Sequence, residues 1–229
     1  MDGSCQGLRK CSAEFIGTFA LVFAGTGAII INDISAGAVT HLGVGLVFGL
    51  IIMTMIYALG EISGAHFNPA VSFGFWLAKR LAGREFLAFV ISQISGALAA
   101  SVLLKIIFPA HQTLGATSPH FISSGGDFVL ETILTFFLML VIINVAQGAK
   151  EKGLMAGVAI GGMVALEAVF AGPVTGASMN PARSLAPALV SGHLEFLWIY
   201  LIAPMLGGAL AVSSCCFLRS ENCCRKLRV

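Results

Sequence analysis

Apolar residues in this chain fall in long runs with few charges. Six windows come near the ~20 residues that a helix needs to cross a hydrocarbon core: 12–32, 41–59, 86–107, 128–147, 153–171 and 194–217. Two further segments, 61–80 and 173–192, are apolar, Gly-rich and Pro-containing, yet too short and too interrupted to cross. The pattern predicts an all-α polytopic membrane protein with six spans and two irregular intervening segments. The apolar stretch after Arg9 and Lys10 is interrupted by Glu14 and lacks a convincing small-residue cleavage site, so it reads as a membrane helix and not as a secretory signal.

Composition agrees with the pattern. Of the 229 residues, 57% are apolar and 10% charged, and the mean hydropathy is +0.94. A soluble domain carries about a quarter of its residues as charged side chains, so a single soluble domain is excluded, and so is a disordered chain. The net charge of +2 says little about partners, but the placement of the charges says more. Lys and Arg are retained in short cytoplasmic loops. Arg9, Lys10, Lys79, Arg80, Arg84, Lys150, Lys152, Arg219, Arg225, Lys226 and Arg228 all fall on one face of the predicted topology, whereas the connections 33–40 and 108–127 contain no Lys or Arg. Both termini are therefore expected to be cytoplasmic. Lys105, near the far end of span three, can snorkel. Arg183 lies inside an apolar segment and needs another explanation.

Cys5, Cys11, Cys215, Cys216, Cys223 and Cys224 lie at or near the cytoplasmic ends, where reduced thiols are expected. Their spacing does not resemble a zinc site.

A repeat organises the chain. Ser63-Gly64-Ala65-His66-Phe67-Asn68-Pro69-Ala70-Val71-Ser72 and Thr175-Gly176-Ala177-Ser178-Met179-Asn180-Pro181-Ala182-Arg183-Ser184 share one pattern. Gly96-Ala97-Leu98-Ala99 and Gly208-Ala209-Leu210-Ala211 follow at equal distances, and Glu14-x-Ile16-x-Thr18-Phe19 matches Glu131-x-Ile133-x-Thr135-Phe136. The expected organisation is a single channel domain, 1–229, made of two copies, 12–107 and 128–217. Each copy holds three spans. An odd number turns the second copy upside down, and inverted repeats with discontinuous helices place their site at the midplane where the halves meet.

Asn is a strong helix N-cap and Pro is favoured at the first helical position. Asn68-Pro69 and Asn180-Pro181 therefore read as the starts of short helices, running to about Lys79 and Val190. Ten or so residues span roughly 15 Å, half of the hydrocarbon core, so two such helices entering from opposite faces meet at its centre. Non-helical backbone such as 64–67 is tolerated there only if it is buried in protein or lines a wet cavity. Both N-termini point at the same place, and each is equivalent to roughly half a positive charge. A cation 5 Å away at an effective dielectric near 20 would meet roughly 3 kcal/mol of repulsion. The Asn68 and Asn180 carboxamides can donate N–H bonds to a neutral oxygen in transit. Arg183, one turn into the second short helix, supplies a fixed cation and hydrogen-bond donors at an external constriction. Glu14 and Glu131, at equivalent places in spans one and four, read as acceptors for backbone N–H groups freed by the irregular segments, with proton coupling as the competing reading. Glu167 has no counterpart in the first half; it either faces the pore or bonds a neighbouring helix.

These motifs resemble the aquaporin, or major intrinsic protein, family over nearly the whole chain, from Glu14 to Ala211. The resemblance implies a homotetramer of right-handed six-helix barrels with two re-entrant half-helices, each barrel with its own pore, in which Glu14 and Glu131 hold the re-entrant loops. Counted from the two Asn-Pro-Ala boxes (Asn68, Pro69, Ala70 and Asn180, Pro181, Ala182), the family's selectivity filter falls on Phe48, Ala168, Ala177 and Arg183. Water-selective members carry His where Ala168 stands, so this filter looks wider and less polar. Glycerol facilitators carry Trp where Phe48 stands, Asp where Ser184 stands and Pro where Tyr200 stands. Residues 171–180 are most similar to the nodulin-like intrinsic proteins, whose members pass water and small uncharged solutes. Glu61 replaces the His often found before the first box.

The resulting expectation is a passive channel for water that also passes small uncharged solutes and excludes protons and ions. No enzymatic activity, cofactor, metal or nucleic-acid partner is expected; the bilayer and further copies of the chain are. The alternative is a facilitator mainly for a neutral solute such as glycerol, ammonia, hydrogen peroxide or a metalloid hydroxide. A proton-coupled transporter and a structural junction protein are the readings from other classes. The lack of a long cytoplasmic extension points to a prokaryotic inner membrane.

Overall fold

The computed structural model describes residues 3–146 and 155–219. Among them the chain forms eight helices: α1 (Gly3–Ile34), α2 (Thr40–Ser63), α3 (Pro69–Leu77), α4 (Gly83–Ile107), α5 (Ser124–Val145), α6 (Ala156–Thr175), α7 (Pro181–Ser191) and α8 (Leu197–Arg219). All except α3 and α7 are long and apolar enough to cross a membrane, and each overlaps one predicted window. The protein is an all-α, multi-pass membrane protein with two short helices inserted between the longer ones. Helix α1 starts at Gly3, ahead of its apolar window; no Pro interrupts residues 3–12, and Lys10 is held 2.6 Å from Glu85. At the other end of α7, Gly192 adopts the left-handed conformation (φ 85°) and its N–H closes on the Ala188 carbonyl, which ends the helix.

The helices pack as two matching sets. Helix α1 lies against α2 and α4, and α5 lies against α6 and α8; α3 inserts beside α8, and α7 beside α4. The α2–α6 pair joins the sets. It is close because Gly49 and Gly161 face each other: a Cβ at Gly161 would stand 2.6 Å from the Gly49 carbonyl oxygen and 2.7 Å from Met53 Cβ. Small residues let helix backbones approach in a medium where lipid is as apolar as the helix itself.

The connections sort to two ends. The Lys10–Glu85 pair ties the start of α1 to the start of α4. At the opposite end His111 reaches Asp33 at 3.3 Å, joining the 33–40 and 108–123 connections. Lys105, on the last turn of α4, donates to the Pro109 carbonyl at 3.0 Å. Lys150, Lys152, Arg225, Lys226, Arg228, Cys223 and Cys224 lie outside the described residues. Cys5 and Cys11 are free thiols. Cys215 and Cys216 each take part in a disulfide, which corrects the expectation of reduced thiols at these two positions.

The close α2–α6 approach makes a paired test. Gly161→Ala should lower the unfolding midpoint in detergent by the equivalent of about 1–3 kcal/mol, the range for overpacking. The neighbouring Gly162, with nothing within 4 Å of its Cβ position, should accept Ala without loss. Equal midpoints for the two variants would contradict this packing.

Candidate functional site

The two short helices begin alike. Asn68 (φ −157°, ψ 121°) and Asn180 (φ −145°, ψ 107°) are extended N-cap residues followed by Pro at the first helical position. The Asn68 carbonyl accepts the Ala70 N–H, and the Asn180 carbonyl accepts those of Ala182 and Arg183. With the carbonyls spent on their own helices, the amide nitrogens reach across. Asn68 Nδ2 donates to the Met179 carbonyl at 2.8 Å, and Asn180 Nδ2 donates to the Phe67 carbonyl at 2.9 Å. The two helix starts are thus clasped reciprocally. An amide nitrogen carries two hydrogens, so each Asn keeps one donor for the cavity that both residues line.

The segments leading into the helices are strained in the same way. Ala65, Phe67, Ala177 and Met179 all have positive φ, from 39° to 52°, a conformation that costs roughly 1–2 kcal/mol per non-glycine residue. What holds them is a buried carboxylate in each half. Glu14 accepts from Ser63 Oγ, the His66 and Phe67 backbone N–H groups and Gln93 Nε2, at 2.6–3.0 Å. Glu131 accepts from Thr175 Oγ1 and the Ser178 and Met179 N–H groups, at 2.7–3.0 Å. The halves differ at one donor: the position matching Gln93 is Met205. In the second half Tyr200, fully buried, instead donates to the Thr175 carbonyl at 2.7 Å.

A cavity of about 480 Å³ runs past these elements, lined by Asn68, Asn180, Phe48, Ala168, Ala177 and Arg183, with Tyr57 and Glu61 towards the α2 C-terminus. The four residues expected at the filter therefore share one wall-to-wall space. The Phe48 ring occupies room left by Gly25, where a Cβ would overlap it. The Arg183 guanidinium lies 5.0 Å from the Phe48 ring centroid, within reach of a cation–π contact. Its Nη1 donates to the Gly115 carbonyl at 2.9 Å, and it forms no ion pair among the described residues. Gly115 belongs to the connection after α4, which folds inward: Leu114 is buried, and Thr117 donates to Ser184 at 2.8 Å. Neither Gly115 nor Thr117 emerges from the motifs, because a backbone carbonyl 68 residues away from Arg183 leaves no pattern in side-chain types.

Glu167 does neither of the things expected of it. It is buried but absent from the cavity lining, and neither carboxylate oxygen has a hydrogen-bond partner among the described residues. Among the described residues no group of three His, Cys, Asp or Glu is placed to hold a metal ion.

Six membrane-length helices enclosing two capped half-helices, clasped beside a mainly apolar cavity with a few polar groups, define a membrane channel fold. Comparison with known proteins agrees. The family model for Major intrinsic protein matches residues 3–214, and the chain belongs to that family. It is 46% identical over 207 residues to Aquaporin NIP1-4 of Oryza sativa subsp. japonica, covering 88% of this chain and 74% of that protein. It is 43% identical over 201 residues to Nodulin-26 of Glycine max, covering 87% and 74%. The X-ray structure of the aquaglyceroporin from Plasmodium falciparum superposes with a TM-score of 0.84 at 26% identity, over 95% of this chain and 97% of that one.

The carboxylate braces give a direct expectation. Glu131→Gln replaces an acceptor-only group by one that brings two N–H donors towards three others, so it should cost about 2–4 kcal/mol of stability from lost charge-assisted bonds and stranded donors. The check is the thermal or denaturant midpoint of the detergent-solubilised protein, and a midpoint equal to that of the parent would remove the bracing role.

Proposed function

We propose that the protein is a passive channel for water and small uncharged solutes, catalysing no reaction and requiring no cofactor. The observation that carries this reading is the cavity itself. It passes between two amide nitrogens, each with a free N–H, and then beside a buried guanidinium. Such a path offers hydrogen bonds to a neutral oxygen. It also presents two helix N-termini and a fixed positive charge, which oppose cations.

On this reading Asn68, Pro69, Ala70, Asn180, Pro181 and Ala182 form the central pore motifs, and Phe48, Ala168, Ala177 and Arg183 form the filter. Residues 12–107 and 128–217 are inverted copies within one channel domain. The similarity to Aquaporin NIP1-4 and Nodulin-26 supports transport of water and small solutes. The gathering of Arg9, Lys10, Lys79, Arg80 and Arg84 at one end supports a cell (inner) membrane location with both termini cytoplasmic. Many large apolar side chains on the outer helix faces remain exposed, among them Ile16, Leu42, Leu50, Ile91 and Leu206; lipid and three further copies in a homotetramer would cover them.

A second reading, a facilitator mainly for a neutral solute such as glycerol, ammonia, hydrogen peroxide or a metalloid hydroxide, is favoured by one feature. Ala168 contributes only a methyl group to the constriction, which leaves room beside Phe48 and Arg183.

Stopped-flow light scattering on proteoliposomes separates these readings. Osmotic shrinkage should be several-fold faster than in protein-free vesicles, and re-swelling in glycerol or urea measures the solute share. Shrinkage at the bare-lipid rate would sink the channel reading. Ala168→His should cut solute flux more than water flux, whereas equal losses would take this residue out of the constriction. Arg183→Val should raise proton or cation leak across the same vesicles, and an unchanged leak would count against its role.

A further inference from the structure

We infer that His41 is a positioning residue of the filter, acting through a helix carbonyl that Pro173 leaves without its usual partner. This rests on the proposed function, since the filter is part of that reading.

Helix α6 carries Pro173 within its last turn. Proline has no N–H, so the carbonyl four residues earlier, on Val169, loses the bond that would continue the helix. Val169 follows Ala168 directly. The freed carbonyl, near the C-terminal end of α6 and in a partly exposed setting, is open to a donor from another element. His41, on the first turn of α2, supplies it: its Nε2 lies 2.7 Å from the Val169 oxygen. A carbonyl only accepts, so Nε2 carries the hydrogen. Protonation of the ring keeps this donor in place, because both nitrogens donate in the charged form.

The surrounding packing is cut to fit this bond. Gly172 stands where a Cβ would come within 2.8 Å of His41 Cε1, so only glycine leaves the ring its seat. One turn further along α2, Gly45 lets that helix lie directly against Val169. Phe48 and Ala168, which both line the cavity, are carried by these same two helices. The bond from His41 pins the outer end of the α2–α6 contact, next to the point where the two helices present their filter side chains. Its loss lets that end separate and widens the gap between Phe48 and Ala168.

Neither His41 nor Pro173 lines the cavity, so an effect of either on selectivity has to be transmitted through helix position. The test is the glycerol-to-water permeability ratio in proteoliposomes, for the parent and for His41→Ala, His41→Gln, Pro173→Ala and the His41→Ala/Pro173→Ala pair. His41→Ala should raise the ratio about fivefold, the factor one net hydrogen bond corresponds to. His41→Gln, which restores a side-chain N–H, should return it towards the parent value. Pro173→Ala gives Val169 an N–H from its own helix, so adding His41→Ala to it should change nothing further.

An unchanged ratio in His41→Ala overturns the proposal, as does failure of Gln to rescue or an equal effect of His41→Ala in both backgrounds. Parent vesicles that conduct water while the variants show these results lose only the positioning role; parent vesicles without water flux remove the channel reading too. Nitrogen-15 spectra of the histidines in the intact parent channel provide a readout that does not depend on variant folding: a hydrogen on Nε2 of His41 supports the proposal, and a neutral ring carrying it on Nδ1 overturns it.

Discussion

Two carboxylates hold backbone N–H groups that have left helical geometry in the interior of a membrane protein. Water and lipid cannot satisfy those groups inside a packed protein, so every irregular residue at that depth needs a protein partner. Glu14 and Glu131 provide it, each for two consecutive N–H groups and a hydroxyl. The reach of the short helices, the positive φ at Ala65, Phe67, Ala177 and Met179, and the meeting of Asn68 with the opposite loop all presuppose this support. In this structure the acids take the place of a solvent shell for a folded-back loop.

The two halves meet this constraint with different chemistry. In the first, Gln93 bridges Glu14 to Ser72, and His66 contacts the same Ser72 while stacking on Phe75. In the second, Met205 replaces the amide, and the load passes to Tyr200, Ser178 and Ser184, with Thr117 from the 108–123 connection closing the network. The two segments therefore share the carboxylate and the loop register while differing in the outer partners. The cavity wall is unlike as well, with an imidazole and Glu61 in one part and a guanidinium in another.

Much of this was legible in the sequence. Hydropathy windows reveal helices because the bilayer allows few alternatives, and Asn-Pro at a helix start carries its own geometry. The paired glutamates were readable because a charge in an apolar run has to have a reason. What escaped was carried by groups that have no side-chain signature. The Gly115 carbonyl that fixes Arg183, and the inward fold of a connection that reads as an irregular loop, depend on backbone direction alone. Helix α1 begins nine residues before its apolar window, since polar residues beyond the hydrocarbon can continue a helix while lying outside the hydropathy signal. Glu167 shows the converse limit: its type and burial are plain, yet neither oxygen finds a partner among the described residues.

The reciprocal asparagine clasp also sets an order of events during synthesis. Asn68 is made early, but the carbonyl that receives its amide is on Met179, 111 residues later. At ~5–20 residues per second the ribosome supplies that partner only after on the order of ten seconds. Throughout that interval the first short helix has to rely on partners within its own half, Glu14 and Gln93 among them. The stronger of the two braces thus belongs to the half that has to wait, and the half with fewer donors on its carboxylate emerges into a clasp already prepared for it.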